Sequence, residues 1–81
     1  MRVSVRLFAR LKELAGADTM MVDVAEPATV AEVWQAATNA VPALVPHGRA
    51  LSCAVNATFS RMTQTVSEGD DVAFLPPVSG G

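Results

Sequence analysis

The residues that could act as nucleophiles, bases or metal ligands in this 81-residue chain are few and isolated. The single cysteine is Cys53, and the single histidine, His47, stands between a proline and a glycine. One cysteine cannot form an internal disulfide, and with one histidine it cannot complete a zinc site or hold an iron-sulfur cluster. No serine or cysteine has a clear base partner. We therefore interpret Cys53 as a small buried thiol and His47 as a surface residue, and we predict no metal site.

Carboxylates are the next candidates for acid-base chemistry. Asp70 and Asp71 are adjacent, and neighbouring residues in a turn normally point apart and stay solvated. We interpret them as turn residues. The glutamates at positions 13, 26 and 32 are interpreted as surface or helix-capping residues. The sequence thus predicts no catalytic centre within the chain.

The last six residues, 76–81, remain as a chemical feature, and they read Pro-Pro-Val-Ser-Gly-Gly. The prolines favour an extended backbone, and glycines can enter a tunnel too narrow for any side chain. A terminal carboxylate at Gly81 would become reactive once it is joined to AMP, because its oxygen is then part of a good leaving group. By itself a Gly-Gly ending is weak evidence, since chain termini are often rich in small residues.

Length and composition limit the class of protein. The chain is 51% hydrophobic and 17% charged, which is typical of one compact folded domain. Its six basic and eight acidic side chains give a net charge of -2 with no basic cluster, so nucleic acid is not an expected partner. No apolar run approaches the roughly 18 residues that span a bilayer, and the N-terminus lacks a targeting pattern. We expect a cytoplasmic protein that is neither secreted nor membrane-embedded.

The first third of the chain predicts a strand, a short helix and a second strand. Alternating polar and apolar residues indicate the first strand over residues 2–8, in which Phe8 shares the polar face. Helical spacing of leucines predicts a short helix that ends at Gly16. An extended pattern over residues 20–24 predicts a second strand beside the first.

A longer helix follows. Thr29 and Glu32 fit a capping box, in which each side chain satisfies the other residue's free backbone N–H. Helical spacing then predicts one apolar stripe suited to packing across a sheet, with Trp34 as a core anchor. The stripe consists of Val30, Val33, Trp34, Ala37 and Val41. Prolines end the helix, and we expect an irregular connection over residues 42–48 with one apolar contact at Leu44.

The remaining residues predict two more strands. A third strand is expected over residues 51–56, a tight turn at Asn56-Ala57, and then a polar stretch leading away through Gln64. After a turn at residues 68–71, a strand runs over residues 72–75 and is ended by prolines. This order predicts an α+β domain over residues 1–75, with one long helix on a mixed sheet of four to five strands. The first and last strands are expected to pair in parallel, as in a β-grasp, ubiquitin-like fold.

Nearly the whole chain resembles the small subunit of molybdopterin synthase, a ubiquitin-like sulfur carrier of the MoaD/ThiS type. Three blocks carry the resemblance: Val-Arg-Leu-Phe-Ala-Arg-Leu-Lys-Glu-Leu-Ala-Gly at residues 5–16, Ala-Val-Asn at residues 54–56, and the ending at residues 68–81. The ending, Glu-Gly-Asp-Asp-Val-Ala-Phe-Leu-Pro-Pro-Val-Ser-Gly-Gly, is the most specific of the three. Residues 60–66 depart most from the family pattern.

The resemblance implies a reaction cycle centred on Gly81. A ubiquitin-activating-type enzyme would use ATP to adenylate Gly81, and a persulfide sulfur would convert it to a thiocarboxylate. The tail, residues 76–81, would then insert into the large subunit of molybdopterin synthase and donate sulfur to cyclic pyranopterin monophosphate to form the dithiolene. The inserted residues that precede Gly81 would be Pro76, Pro77, Val78, Ser79 and Gly80. Catalytic acids and bases would belong to the partner, and the chain would bind no cofactor stably.

A partner-binding patch is predicted from strand parity together with the resemblance. Phe8 lies on the face of Ser4 and Arg6, and Leu75 lies opposite its apolar strand neighbours, so both are expected to be exposed near the tail. Phe59, just past the Asn56-Ala57 turn, is the third candidate. We expect Phe8, Phe59 and Leu75 to form an apolar patch that contacts the large subunit.

Three other functions fit the same ending. A sulfur carrier for another pathway, such as thiamine synthesis, would share the fold and the adenylation chemistry. A protein modifier would instead join Gly81 to lysines of target proteins through an isopeptide bond. A binding module with an inert tail is the third alternative.

Overall fold

The computed structural model describes residues 1–77, so the predicted tail residues Val78, Ser79, Gly80 and Gly81 lie outside the described part. The described residues form seven strands, two α-helices and one 3₁₀ helix. In chain order they are β1 (Arg2–Leu7), α1 (Ala9–Ala15), β2 (Thr19–Asp23), β3 (Ala28–Thr29), α2 (Val30–Ala40), the 3₁₀ helix (Pro42–His47), β4 (Ser52–Val55), β5 (Thr58–Ser60), β6 (Thr65–Val66) and β7 (Asp71–Leu75).

Five strands form one mixed sheet in the order β2-β1-β7-β4-β5. The first and last strands, β1 and β7, pair in parallel, whereas all other pairs in this sheet are antiparallel. Strands β3 and β6 form a separate two-stranded ribbon. This arrangement confirms the predicted α+β, β-grasp fold and its parallel pair, and it makes β7 the central strand.

The core lies between the sheet and α2. Val3, Val5 and Leu7 of β1, with Val72 and Phe74 of β7, are at most 1% exposed. The helix begins with the predicted capping box: Thr29 N–H donates to Glu32 Oε1 at 2.9 Å, and Glu32 N–H donates to Thr29 Oγ1 at 3.4 Å. It buries Val30, Val33 and Ala37.

Trp34 is half-buried rather than fully enclosed in the core. Its ring packs edge-on against Phe74, with 5.0 Å between the ring centroids and 60° between the planes. Trp34 therefore packs at the edge of the core and covers Phe74 of the central strand. The helix ends at Ala40, so Val41 is its C-cap residue, and its half-buried side chain still packs against the core as the stripe predicted.

Three predicted details were wrong. Residues 42–47 form a 3₁₀ helix instead of an irregular connection, although Leu44 is buried as expected. Phe8 follows β1 as the N-cap of α1, in an extended conformation. The stretch after Ala57 does not lead away, because β5 pairs back on β4 and β6 pairs with β3.

Within residues 1–77, no helix has the length and hydropathy needed to cross a membrane. The same described part holds no cluster of three or more histidine, cysteine, aspartate or glutamate side chains that could ligate a metal.

Candidate functional site

The sheet face opposite α2 carries an open groove of about 410 Å³. We call it the docking groove. It is lined by Arg6, Phe8, Ala54, Ala57, Phe59, Asp71, Ala73 and Leu75. Its lining is mainly apolar, with one basic and one acidic side chain.

Strand parity explains how the sheet builds this groove. Val72 and Phe74 of β7 point into the core, so Asp71, Ala73 and Leu75 point to the opposite face. Arg6 on β1 is the register partner of Ala73, and Ala54 on β4 is its partner on the other side. Alanines at adjacent positions leave a low floor between larger side chains, which is why the face is concave.

The groove brings together all three residues predicted for the partner-binding patch. Phe8 is 41% exposed and Phe59 is 76% exposed. Leu75 is half-buried and not exposed as expected, although it does lie on the predicted face. Exposed aromatic side chains that line one groove are a feature of interaction surfaces, because each leaves apolar area in water.

A two-residue turn at Asn56-Ala57 places Phe59 at the groove. Both residues have positive φ, 50° and 69°, which is the backbone that two-residue hairpin turns favour. The turn therefore sends the chain straight back, and Phe59 becomes the cross-strand partner of Ala54. The sequence predicted the turn, but it did not predict that β5 would continue the sheet.

The side chain of Asn56 ties this turn to the start of β7. Its Oδ1 accepts from Asp71 N–H at 3.0 Å, and its Nδ2 donates to Asp70 Oδ1 at 3.0 Å. Asn56 N–H also donates to the Asp71 carbonyl at 2.8 Å. Asp70 Oδ2 accepts from Ser67 N–H at 2.7 Å. The strands that carry Phe59 and Leu75 are thus held in a fixed relation on both sides of β4.

The two adjacent carboxylates do point apart, but they are not simply solvated as predicted. Asp70 belongs to the Asn56 network just described. Asp71 is half-buried, and its Oδ2 accepts from Arg6 Nε at 3.2 Å. Its Oδ1 is buried and has no hydrogen-bond partner among the described residues. The parallel pairing of β1 with β7 was the sequence signal that could have placed Arg6 beside Asp71.

The other predicted residues take these places. Pro76 is half-buried and Pro77 exposed, and both continue the chain from Leu75 at the groove. Cys53 is 3% exposed, as predicted, and its thiol donates to the Ser60 carbonyl at 3.3 Å. His47 is half-buried at the end of the 3₁₀ helix rather than fully on the surface.

Comparison with protein families identifies the class of this chain. The model of the ThiS family matches residues 5–81, which is almost the entire sequence. The chain belongs to the ThiS family. This ThiS-family protein therefore shares a family with the sulfur carriers indicated by its sequence motifs.

Its relatives include two kinds of protein. The chain is 38% identical to the molybdopterin synthase sulfur carrier subunit of Escherichia coli, over 98% of this chain and 99% of that protein. It is 36% identical to small archaeal modifier protein 1 of Haloferax volcanii, over 94% of this chain and 97% of that protein. A crystal structure of the latter has a TM-score of 0.89 and covers 95% of this chain and 98% of the other. Both relatives are small proteins that align with this chain over almost their full length.

A second solved structure shows the same fold within an assembly. The complex of subunits 1 and 2 of the molybdopterin-converting factor from Helicobacter pylori contains a chain that is 23% identical, with a TM-score of 0.69. The alignment covers 100% of both chains. At this identity the likeness is one of fold.

Proposed function

We propose that this ThiS-family protein is the sulfur carrier subunit of a molybdopterin synthase. The observation that carries the proposal is the position of the docking groove at the base of the chain's last six residues. Leu75 lines the groove, and Pro76 and Pro77 continue directly from it. A protein seated on Phe8 and Phe59 would therefore receive the Gly-Gly ending at its own surface.

Residues 76–81 act as the carrier tail in this proposal, and Gly81 carries the chemistry. Its carboxylate attacks the α-phosphate of ATP on a ubiquitin-activating-type enzyme, which releases pyrophosphate and forms the acyl adenylate. A persulfide sulfur then displaces AMP, and a thiol cleaves the sulfur-sulfur bond to leave the thiocarboxylate. Transfer of that sulfur to cyclic pyranopterin monophosphate, followed by hydrolysis of the acyl-sulfur bond, restores the Gly81 carboxylate. ATP is thus consumed by the activating enzyme and is not a resident cofactor.

The large subunit of molybdopterin synthase is the proposed partner at the groove. The two-subunit complex from Helicobacter pylori supports this choice of partner, because in it a chain of the same fold is in a complex with a second subunit. The large subunit would supply the acids and bases of sulfur transfer.

Truncating Phe59 tests the groove as the docking surface. Phe59→Ala should raise the Kd for the large subunit about thirtyfold, because buried aromatic anchors contribute about 2 kcal/mol or more at protein interfaces. Phe8→Ala should also raise the Kd for the large subunit. Val45→Ala is the matched control, since Val45 is 61% exposed and apolar but lies on the 3₁₀ helix, outside the groove. Isothermal titration calorimetry measures the Kd of the wild-type protein and of these three variants for the large subunit. Equal Kd values for the Phe59→Ala, Phe8→Ala and wild-type proteins would show that the partner docks elsewhere.

A protein modifier is the second candidate function, because small archaeal modifier protein 1 is similar over nearly its full length. Intact-mass spectrometry of the protein purified from its source organism separates the two functions. We expect sulfur to replace one oxygen at Gly81. Isopeptide adducts between Gly81 and lysines of other proteins, without any thiocarboxylate, would instead establish the modifier. Restoration of thiamine synthesis but not of molybdopterin synthesis in carrier-deficient cells would assign the thiamine pathway.

A further inference from the structure

One basic side chain stands among the apolar residues of the docking groove. Arg6 is 52% exposed at its side chain and lies beside the alanine floor. Its Nε donates to Asp71 Oδ2 at 3.2 Å. No hydrogen bond within residues 1–77 uses its two Nη groups. Most of the guanidinium's five N–H donors are therefore left for water or for a partner.

The position of this guanidinium is determined before any partner binds. The main chain of Asp71 makes two hydrogen bonds with Asn56: the Asp71 N–H donates to Asn56 Oδ1, and the Asp71 carbonyl accepts from Asn56 N–H. Its carboxylate is thus an anchored acceptor that restrains Arg6 through Nε. Because a restrained side chain loses less entropy on binding, Arg6 is prepared to take part in recognition.

Docking would remove water from the free Nη groups. A charged donor that is buried without an acceptor costs far more than a satisfied hydrogen bond returns. A protein that covers this groove with purely apolar side chains would therefore bind poorly. The partner surface must bring hydrogen-bond acceptors to the position of Arg6.

The charge of the pair limits what kind of acceptor fits. Arg6 and Asp71 already balance each other, so a carboxylate from the partner would leave one uncompensated negative charge in a desolvated site. Asp71 Oδ1, which has no partner among the described residues, adds to the negative potential there. Uncharged oxygens satisfy the Nη groups without that penalty.

We propose that Arg6 is a specificity-determining residue, and that the partner presents uncharged acceptors to it, either main-chain carbonyls or side-chain amide oxygens. The proposal rests on the proposed function, in which the large subunit occupies the groove. It adds that this subunit must combine an apolar surface for Phe8 and Phe59 with at least one such oxygen. Proteins that lack it are rejected even when their shape fits.

A double substitution separates this role from simple neutralisation of Asp71. Arg6→Leu should raise the Kd for the large subunit about tenfold or more, since the partner's oxygens lose their donors. The double variant Arg6→Leu/Asp71→Ala should bind the large subunit as weakly as Arg6→Leu does, although its groove contains no unpaired carboxylate. Recovery of wild-type affinity by the double variant would show that Arg6 only neutralises Asp71, and would overturn the proposal. Arg10→Leu is the control, because Arg10 pairs with Glu13 on α1 and does not line the groove.

Salt dependence tests the kind of acceptor. Between about 0.05 M and 0.5 M NaCl the Kd of the wild-type complex should change less than about threefold, because the buried pair is neutral overall. A steep rise in Kd that Arg6→Leu abolishes would identify a carboxylate on the partner and refute the uncharged acceptor. If Phe59→Ala weakens binding but Arg6→Leu does not, this proposal fails while the proposed function stands. If the wild-type protein does not bind the large subunit at all, the proposed function fails and this proposal falls with it.

Discussion

Removal of Gly81 should reduce molybdopterin synthesis to the level seen without any carrier. The terminal carboxylate would then belong to Gly80, one residue short of the position at which the Gly81 carboxylate is proposed to react. An added alanine after Gly81 should be equally inactive, because one extended residue moves the carboxylate by about 3.3–3.6 Å. A shift of that size removes a reacting atom from its partner groups, and misplacement by about 1 Å can already cost a hundredfold in rate. The measurement is dithiolene formation in a reconstituted system of carrier, activating enzyme, sulfur donor and large subunit.

The two length variants also serve as controls for each other and for the fold. Neither change touches the core, so circular dichroism melting curves should overlay that of the wild-type protein. Both variants should still bind the large subunit through Phe8 and Phe59. Synthesis of molybdopterin by the shortened chain at a rate near that of the wild-type protein would contradict the role assigned to Gly81.

Phe74→Ala should have the largest effect on stability of any single truncation in the described part of the chain. Phe74 is the largest fully buried side chain, on the central strand, with Trp34 packed against its ring. Truncating a buried phenylalanine costs about 3–5 kcal/mol. A domain of this length has a total unfolding free energy of only about 4–12 kcal/mol. The melting temperature should therefore fall by at least about 12 °C, and the variant could be largely unfolded at 37 °C.

Phe59→Ala is the matched control, since the same atoms are removed from the opposite face of the same sheet. Phe59 is 76% exposed, so Phe59→Ala should change the unfolding free energy of the protein by less than about 0.5 kcal/mol. Urea denaturation followed by far-ultraviolet circular dichroism compares the two. Similar losses of stability in both variants would show that Phe59 is part of the core. We thus expect Phe74→Ala to lower stability and Phe59→Ala to weaken binding without lowering stability.

Local sequence signals predicted the elements that depend on nearest neighbours. The capping box of Thr29 and Glu32, the turn at Asn56-Ala57 and the helix end at Gly16 each rest on residues a few positions apart, and each is present. The parallel pairing of β1 with β7 was predicted from element order. Parity along those two strands then placed Phe8 and Leu75 on the face that carries the groove.

Other features that depend on distant partners were not predicted. The ribbon of β3 and β6 is only two residues long in each strand, so neither shows an alternating pattern. Arg6 and Asp71 are 65 positions apart, and their pairing follows from the sheet register and not from a local motif. The 3₁₀ helix was not predicted, because two prolines within six residues are typical of an irregular loop. In the structure these six residues form the 3₁₀ helix and bury Leu44.

The place of β7 in the sheet has a consequence for biosynthesis. It is the central strand of the sheet, yet it follows every other strand along the chain. Ribosomes add about 5–20 residues per second, and until residues 71–75 emerge, the β1–β2 and β4–β5 strand pairs have no strand to join them. A chain that ends before residue 71 therefore cannot assemble the docking groove, because residues of β1, β4, β5 and β7 all line it. If the groove binds the large subunit as proposed, a chain that ends before β7 lacks the surface for that contact and does not compete with complete carriers.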